Sequence, residues 1–108
     1  MTLFVGTYGI QFQFGVGFDM SAFTALELTL TKPDDSTIVV TNPEVALGAT
    51  DVETTVGLFL ANEYVTYTFT IGQLDQAGSW HVRLKYTDAT PRELFSKLGR
   101  FVVCSLGD

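Results

Sequence analysis

The sequence predicts an all-β domain built as a sandwich of two sheets. In several separate stretches, apolar residues alternate with polar ones at a period of two, which is the pattern of strands that bury one face. Clusters of turn-forming residues separate these stretches at short intervals, and no window has both the length and the caps of a stable helix. We therefore expect about seven or eight short antiparallel strands.

Three strands are expected in the first half of the chain. Residues 10–18 alternate large apolar side chains with Gln and Gly, and residues 26–31 alternate Leu with Glu and Thr. Residues 33–36 predict a turn, because Pro fixes φ and the Asp and Ser side chains bond to nearby backbone. Residues 37–41 are β-branched throughout, which is typical of the returning strand of a hairpin.

The middle of the chain gives a weaker pattern. Pro43 and Gly48 interrupt it, and we expect a connection at residues 49–55, which are polar and partly acidic. Val56, Leu58 and Leu60 then resume an alternation, which residues 61–63 break. Residues 64–71 then predict a strand. Its buried face is expected to consist of Val65, Tyr67, Phe69 and Ile71.

The last third of the chain begins with a polar corner at residues 72–79. Residues 80–86 form the clearest amphipathic strand, with Trp80 on the buried face and His81 on the other. Residues 92–98 have an ambiguous pattern; with Pro91 at a first position, residues 91–98 are the best candidate for a single helical turn, which only packing could hold. Residues 99–106 predict the final strand.

Length and charge limit the class of protein. We expect the 108 residues to form one domain, residues 1–108, with residues 1–9 as an N-terminal arm or edge strand. Six Lys and Arg against twelve Asp and Glu give a net charge of −6, which disfavours nucleic acid or an anionic membrane as partner. The first residues lack the basic region of a secretory signal, so folding in a cytoplasm is expected.

The residues that support catalysis or metal binding are scarce. His81 is the single histidine and Cys104 the single cysteine, which is too few for a zinc site or a nucleophile–base pair. The acids at positions 34 and 35 lack the spacing of an EF-hand loop. We therefore expect no catalytic, cofactor-binding or metal-binding residues, and a protein that is not an enzyme.

The distribution of basic residues predicts an interface. Five of the six lie in the last quarter of the chain: Arg83, Lys85, Arg92, Lys97 and Arg100. If the strands align them, they form a basic stripe that can dock the acidic side of another copy or an acidic partner; a solvated strand face is the alternative. Leu3 and Phe4 lie in an apolar segment suited to pairing with the sheet edge of a neighbour.

Three motifs carry a resemblance to a known family. They are Asp19-Met20-Ser21, the stretch from Leu28 to Asp34, and the corner Leu74-Asp75-Gln76-Ala77-Gly78-Ser79-Trp80. Together they resemble the immunoglobulin-like domains of tailed-bacteriophage virion proteins, in particular the N-terminal domain of phage baseplate upper proteins. The resemblance spans about residues 10–103. It implies an immunoglobulin-like antiparallel β-sandwich.

Two departures from the family pattern and four corner residues lead to specific expectations. Asp35 stands where the family commonly has Gly, which predicts a different turn type, and residues 43–63 are expected to hold an insertion. In the corner, we expect Leu74 to fill the end of the sandwich and Asp75 to cap the backbone. Gly78 should allow a tight approach before Trp80 enters the core.

The resemblance implies a function as well as a fold. It implies a non-enzymatic structural protein of a virion assembled in the host cytoplasm, acting as an assembly or docking module in the tail, baseplate or neck. Its partners would be other virion proteins and further copies of itself. A capsid decoration (cement) protein is the alternative, and a carbohydrate-binding module is an alternative of a different class, which the inward assignment of Trp80 disfavours.

Overall fold

The computed structural model describes residues 3–54, 57–90 and 92–105. Every regular element in these residues is a strand, so the predicted all-β fold is confirmed. None of these residues belongs to a helix that could cross a membrane.

Eleven strands are present in the described residues, more than the seven or eight expected, because five of them have only two or three residues and leave no periodic pattern. They are β1 (Leu3–Phe4), β2 (Gln11–Gly15), β3 (Phe23–Thr31), β4 (Thr37–Thr41), β5 (Ala46–Leu47), β6 (Val52–Thr54), β7 (Gly57–Phe59), β8 (Tyr64–Thr68), β9 (Gly78–Asp88), β10 (Glu93–Phe95) and β11 (Gly99–Cys104).

The larger sheet has the strand order β1-β11-β9-β3-β4. Its central strand, β9, pairs along one side with β3. Along the other side it pairs first with β11 and then with β10. All these pairings are antiparallel, but β1 runs parallel to β11, so the expectation of a purely antiparallel fold is wrong at this edge.

The smaller sheet, β2-β8-β5, supplies the second layer of the sandwich. Aromatic rings join the layers: the Phe12 ring of β2 lies 5.3 Å from the Phe101 ring of β11, and Phe101 lies 5.8 Å from Trp80 of β9. Alternation places Leu26, Leu28 and Leu30 of β3 on the inner side, where all three are buried. The two-layer arrangement agrees with the predicted sandwich.

Residues 43–63 contain β5, β6 and β7. β6 lies within the connection expected at residues 49–55, whereas β7 lies in the stretch where alternation resumes. β6 and β7 form a separate hairpin. The Phe59 ring of this hairpin packs beside Gly15, where an added Cβ would lie 2.9 Å from the ring. The hairpin is thus held against the end of β2 by a contact that only the tertiary structure reveals.

The strand predicted for residues 64–71 ends earlier, at Thr68. The side chain of Gln73 accepts a hydrogen bond from the Thr70 backbone N–H at 2.8 Å and another from the Tyr67 hydroxyl. This contact closes a turn that leaves Ile71 77% exposed, contrary to its expected burial. Tyr64, expected on the outward side, is buried.

The helical turn expected at residues 91–98 is absent from residues 92–98, which contain β10 instead; Pro91 lies outside the described residues. Ser96 explains the extended path of this segment. Its backbone N–H donates to the Leu84 carbonyl, and its hydroxyl accepts from the Leu84 N–H at 2.9 Å. Ser96 therefore bonds to β9 in the gap between β10 and β11. Residue 106, the expected end of the last strand, also lies outside the described residues.

Candidate docking surface

The strand pairings bring the predicted basic residues of β9 and β11 onto one side of the larger sheet. Arg100 lies opposite His81, which lies opposite Thr31. Arg83 and Lys85 occupy the next two outward positions of β9. We call this side the outer face; its residues include Glu27, Thr29, Thr31, Val39, His81, Arg83, Lys85, Glu93, Phe95, Leu98, Arg100 and Val102.

The cations of the outer face differ in how far they are neutralised. Lys85 forms an ion pair of 2.8 Å with Glu93, and hydrogen bonding and attraction to that carboxylate raise the pKa of Lys85. Among the described residues, Arg83 and Arg100 have no carboxylate partner within ion-pair distance. Both guanidinium groups are therefore available to an anionic group from outside the chain.

A shallow groove crosses the outer face beside these cations. It has a volume of about 190 Å³ and is lined by side chains from β3 and β9, with Phe95 and Leu98 along one wall. Phe95 is 61% exposed and Leu98 54% exposed. The charged lining of the groove consists of Arg83, Lys85 and Glu27, and Lys85 is the member paired with Glu93. The groove thus offers apolar contact area next to the exposed Arg83, a combination that suits a protein partner.

Two of the five basic residues do not join the outer face. Arg92 forms an ion pair of 2.9 Å with Asp88 of its own chain. Lys97 lines a different, more open concavity of about 520 Å³ with Leu58, Leu60 and Glu63. The five residues therefore do not form one continuous basic stripe, because Arg92 is paired with Asp88 and Lys97 lies at the other concavity.

The N-terminal segment pairs within its own chain. β1 lies parallel to β11, with Leu3 opposite Val103 and Phe4 opposite Cys104. Leu3 is buried in the core, so its side chain is not on the surface, whereas Phe4 is 43% exposed. The pairing with a neighbour's sheet that was expected of this segment is thus made to the chain's own sheet.

The corner at residues 74–80 has the expected apolar contacts. Leu74 and Trp80 are both fully buried, and the Trp80 indole N–H donates to the Gln76 carbonyl at 3.0 Å. Gly78 has a positive φ of 130°, and an added Cβ would lie 3.0 Å from the Pro33 ring. The corner therefore packs directly against the β3–β4 turn.

Polar contacts join the same two segments. Asp75 does not cap the corner backbone as expected but forms an ion pair of 3.0 Å with Lys32. Gln76 donates to the Asp34 carboxylate at 2.8 Å. Hydrogen bonds from the Ser36 hydroxyl, the Ser36 backbone and Gln76 lower the pKa of Asp34 to about 2.

No constellation suited to metal binding is found in the part of the chain that the structure describes: no three His, Cys, Asp or Glu side chains converge there. His81 lies on the outer face, and Cys104 is partly buried on β11.

The sequence pattern did not predict that Val39, Phe95 and Leu98 lie on the surface. Val39 was detectable, because it occupies an outward position in the β-branched run of β4. Phe95 and Leu98 were not, because their exposure depends on the path that Ser96 imposes.

Three comparisons with known proteins found no relative of this chain. No family model matches the chain, and neither a curated protein nor a solved structure matches it.

Proposed function

We propose that the protein is a non-enzymatic assembly module that docks through its outer face to an acidic surface of a virion protein or of a further copy. The observation that carries the proposal is the pair Arg83 and Arg100. Both are exposed, and neither forms an ion pair with a carboxylate among the described residues. They lie beside the apolar wall of Phe95 and Leu98. A charged groove next to apolar area gives both orientation and affinity.

The surrounding sheet supports a docking role because it fixes the backbone that carries these side chains. The strand that presents Arg83 has a partner on each side and a fully buried inner face formed by Trp80, Val82 and Leu84. A surface carried by paired strands binds without the cost of ordering a loop. The rest of a chain with net charge −6 also provides an acidic counterpart, so copies can stack head to tail into a ring.

The assignment to a tailed-bacteriophage virion rests on the resemblance of the corner and hairpin motifs. The contacts of Trp80, Gly78 and Pro33 give those motifs a structural reason, since they join the corner to the hairpin. Within the particle, we propose that the protein lies in the tail, baseplate or neck. We propose that it folds as an immunoglobulin-like module and is assembled into the particle in the host cytoplasm. A capsid decoration protein is the second candidate, because the same outer face suits attachment to a shell.

The test is incorporation into particles. Purified particles are analysed by mass spectrometry and cryo-electron microscopy after complementation with the wild type or with the double variant Arg83→Glu and Arg100→Glu. We expect the wild type in the particle and at least a tenfold loss of the variant. Lys97→Glu is the control, because it makes the same type of charge change outside the outer face.

Two results would contradict the proposal. The first is absence of the wild-type protein from purified particles, and the second is incorporation of the double variant at the wild-type level. Density on the capsid shell instead of the tail would select the decoration role. Binding to a glycan array that is lost on Phe95→Ala would select the carbohydrate-binding class.

A further inference from the structure

β4 forms one edge of the larger sheet, and it lacks the features that normally protect an edge. Its sequence, Thr-Ile-Val-Val-Thr, contains no charge, no proline and no glycine, and it has the strong β-propensity of β-branched residues. One edge of β4 pairs with β3, and no strand in the described residues pairs with its other edge. An edge of this kind is a template for another strand.

The hydrogen bonds of the hairpin show which backbone groups are free. The Lys32 N–H donates to the Ser36 carbonyl, and the Asn42 N–H donates to the Leu26 carbonyl. Because antiparallel strands alternate between paired and outward-pointing groups, Ile38 and Val40 bond to β3. The N–H and C=O groups of Thr37 and Val39 and the N–H of Thr41 therefore point away from β3, whereas the Thr41 C=O accepts a hydrogen bond from the Val45 N–H at 3.0 Å.

The side chains of β4 are only partly covered by the rest of the protein, as is usual for a strand at the edge of a sheet. Ile38 and Val40 belong to the core side but are only partly buried. Val39, on the outer face, is 53% exposed. A strand added at this edge would extend both the core side and the outer face and remove part of this apolar surface from water.

The edge is complementary to itself. When two copies of β4 align antiparallel about Val39, Val39 meets Val39, Ile38 meets Val40, and Thr37 meets Thr41. The Val39 pair then exchanges both of its backbone bonds, and on each side the Thr41 N–H of one copy can donate to the Thr37 C=O of the other. No charged side chain of either strand meets a like charge, although each chain has a net charge of −6.

We infer that β4 is a homodimer interface, through which two copies join their larger sheets about a two-fold axis at Val39. The contact uses the β4 edge of each copy fully, so it closes at two chains. The inference deepens the proposed function and rests on it, because it names a second copy as one partner of the assembly module. The dimer leaves Arg83 and Arg100 uncovered for the other partner.

The test uses the full chain in solution. Sedimentation velocity over a micromolar-to-millimolar concentration series should show a monomer–dimer equilibrium for the wild type. Val39→Lys places two lysines side by side at the two-fold axis and should abolish the dimer. Val102→Lys is the matched control, since Val102 is a similarly exposed valine (50%) on the outer face, away from β4, and its dimer should persist.

Amide hydrogen exchange identifies the contact directly. In the wild type, protection of the Val39 and Thr41 amides should rise with protein concentration, and in Val39→Lys it should not. A wild type that stays monomeric throughout the series, or a Val39→Lys variant that still dimerises, would overturn the inference.

The two proposals fail separately. A monomeric wild type that still enters particles would refute the β4 dimer and leave the docking function in place. A protein that dimerises through β4 but never enters particles would refute the docking function and leave the β4 dimer in place.

Discussion

Asp35 has a backbone conformation that favours glycine. Its φ is 70°, in the left-handed region, where the Cβ of an L-residue crowds the following carbonyl. It follows the turn that Pro33 begins, in which the Asp35 N–H donates to the Lys32 carbonyl at 2.9 Å. This is a type I turn followed by a left-handed residue, a common hairpin connection. The expectation that Asp35 changes the turn type is therefore not supported: it occupies the conformation that glycine would take.

Replacing Asp35 with glycine should therefore stabilise the protein. The left-handed conformation costs an L-residue about 1–2 kcal/mol, and the extra flexibility of glycine in the unfolded chain offsets part of the gain. We expect Asp35→Gly to raise the free energy of unfolding by about 0.5–1 kcal/mol, measured by urea denaturation.

Asp34→Gly is the matched control for this change. Asp34 accepts hydrogen bonds from the Ser36 backbone and from Gln76, so its loss should lower the stability. A lower denaturation midpoint for Asp35→Gly would show that the strain argument is wrong.

At the scale of elements, single carboxylates hold two of the loops. Asp34 organises the β3–β4 turn and joins it to the corner through Gln76. Asp88 organises the loop after β9, since it accepts from the Thr90 hydroxyl and from the Arg92 backbone. The Thr90 hydroxyl above all, together with the Arg92 backbone N–H, holds the pKa of Asp88 well below its usual range.

These lowered pKa values predict acid-labile loops. A carboxyl group whose pKa is lower in the folded chain than in the unfolded chain stabilises the fold only while it is ionised. For Asp34, this stabilisation is complete above the unfolded pKa of about 3.9. It declines as the pH falls below that value and is lost as the pH passes about 2.

Thermal denaturation from pH 7 down to acid pH would measure this effect. Asp34→Asn should be less stable than the wild type at neutral pH and should lose less stability on acidification. Ser36→Ala keeps the carboxyl group but removes its main donor, so it should also reduce the acid dependence. If Asp34→Asn loses stability in acid as steeply as the wild type, Asp34 is not a source of the acid dependence.

At the scale of the whole molecule, one aromatic cluster joins the two sheets. Phe101 lies between Phe12 of the smaller sheet and Trp80 of the larger sheet. Trp80 also contacts the corner through its indole N–H and lies under the Lys32 ammonium, 5.9 Å from the ring. Sheet, corner and hairpin thus share one buried side chain.

Trp80→Ala should therefore weaken the entire fold rather than one loop. We expect a loss of about 3–5 kcal/mol in the free energy of unfolding, measured by circular dichroism because the variant lacks tryptophan fluorescence. Ile71→Ala is the control, since Ile71 is 77% exposed and its truncation should have little effect. An unchanged midpoint for Trp80→Ala would remove Trp80 from the cooperative core.

The sequence by itself determined the strands whose pattern is local. β4 was predicted with its exact ends, and β3 and β9 were recognised from the alternation of Leu26 to Leu30 and of Trp80 to Tyr86. Side chains on a strand alternate between its two faces, so a period of two reports burial without knowledge of the partner strand. The buried Trp80 and the outward Arg83 and Lys85 follow from the same rule.

Only the tertiary structure decided which strands pair and which surface results. The parallel pairing of Leu3 with Val103, the packing of Phe59 on Gly15, and the bond of Ser96 to Leu84 all join residues distant in sequence. Strands of two or three residues, such as β1 and β10, have too few positions for a periodic pattern and exist because a neighbour pairs with them. The division of the basic residues between the outer face and other sites has this same long-range origin.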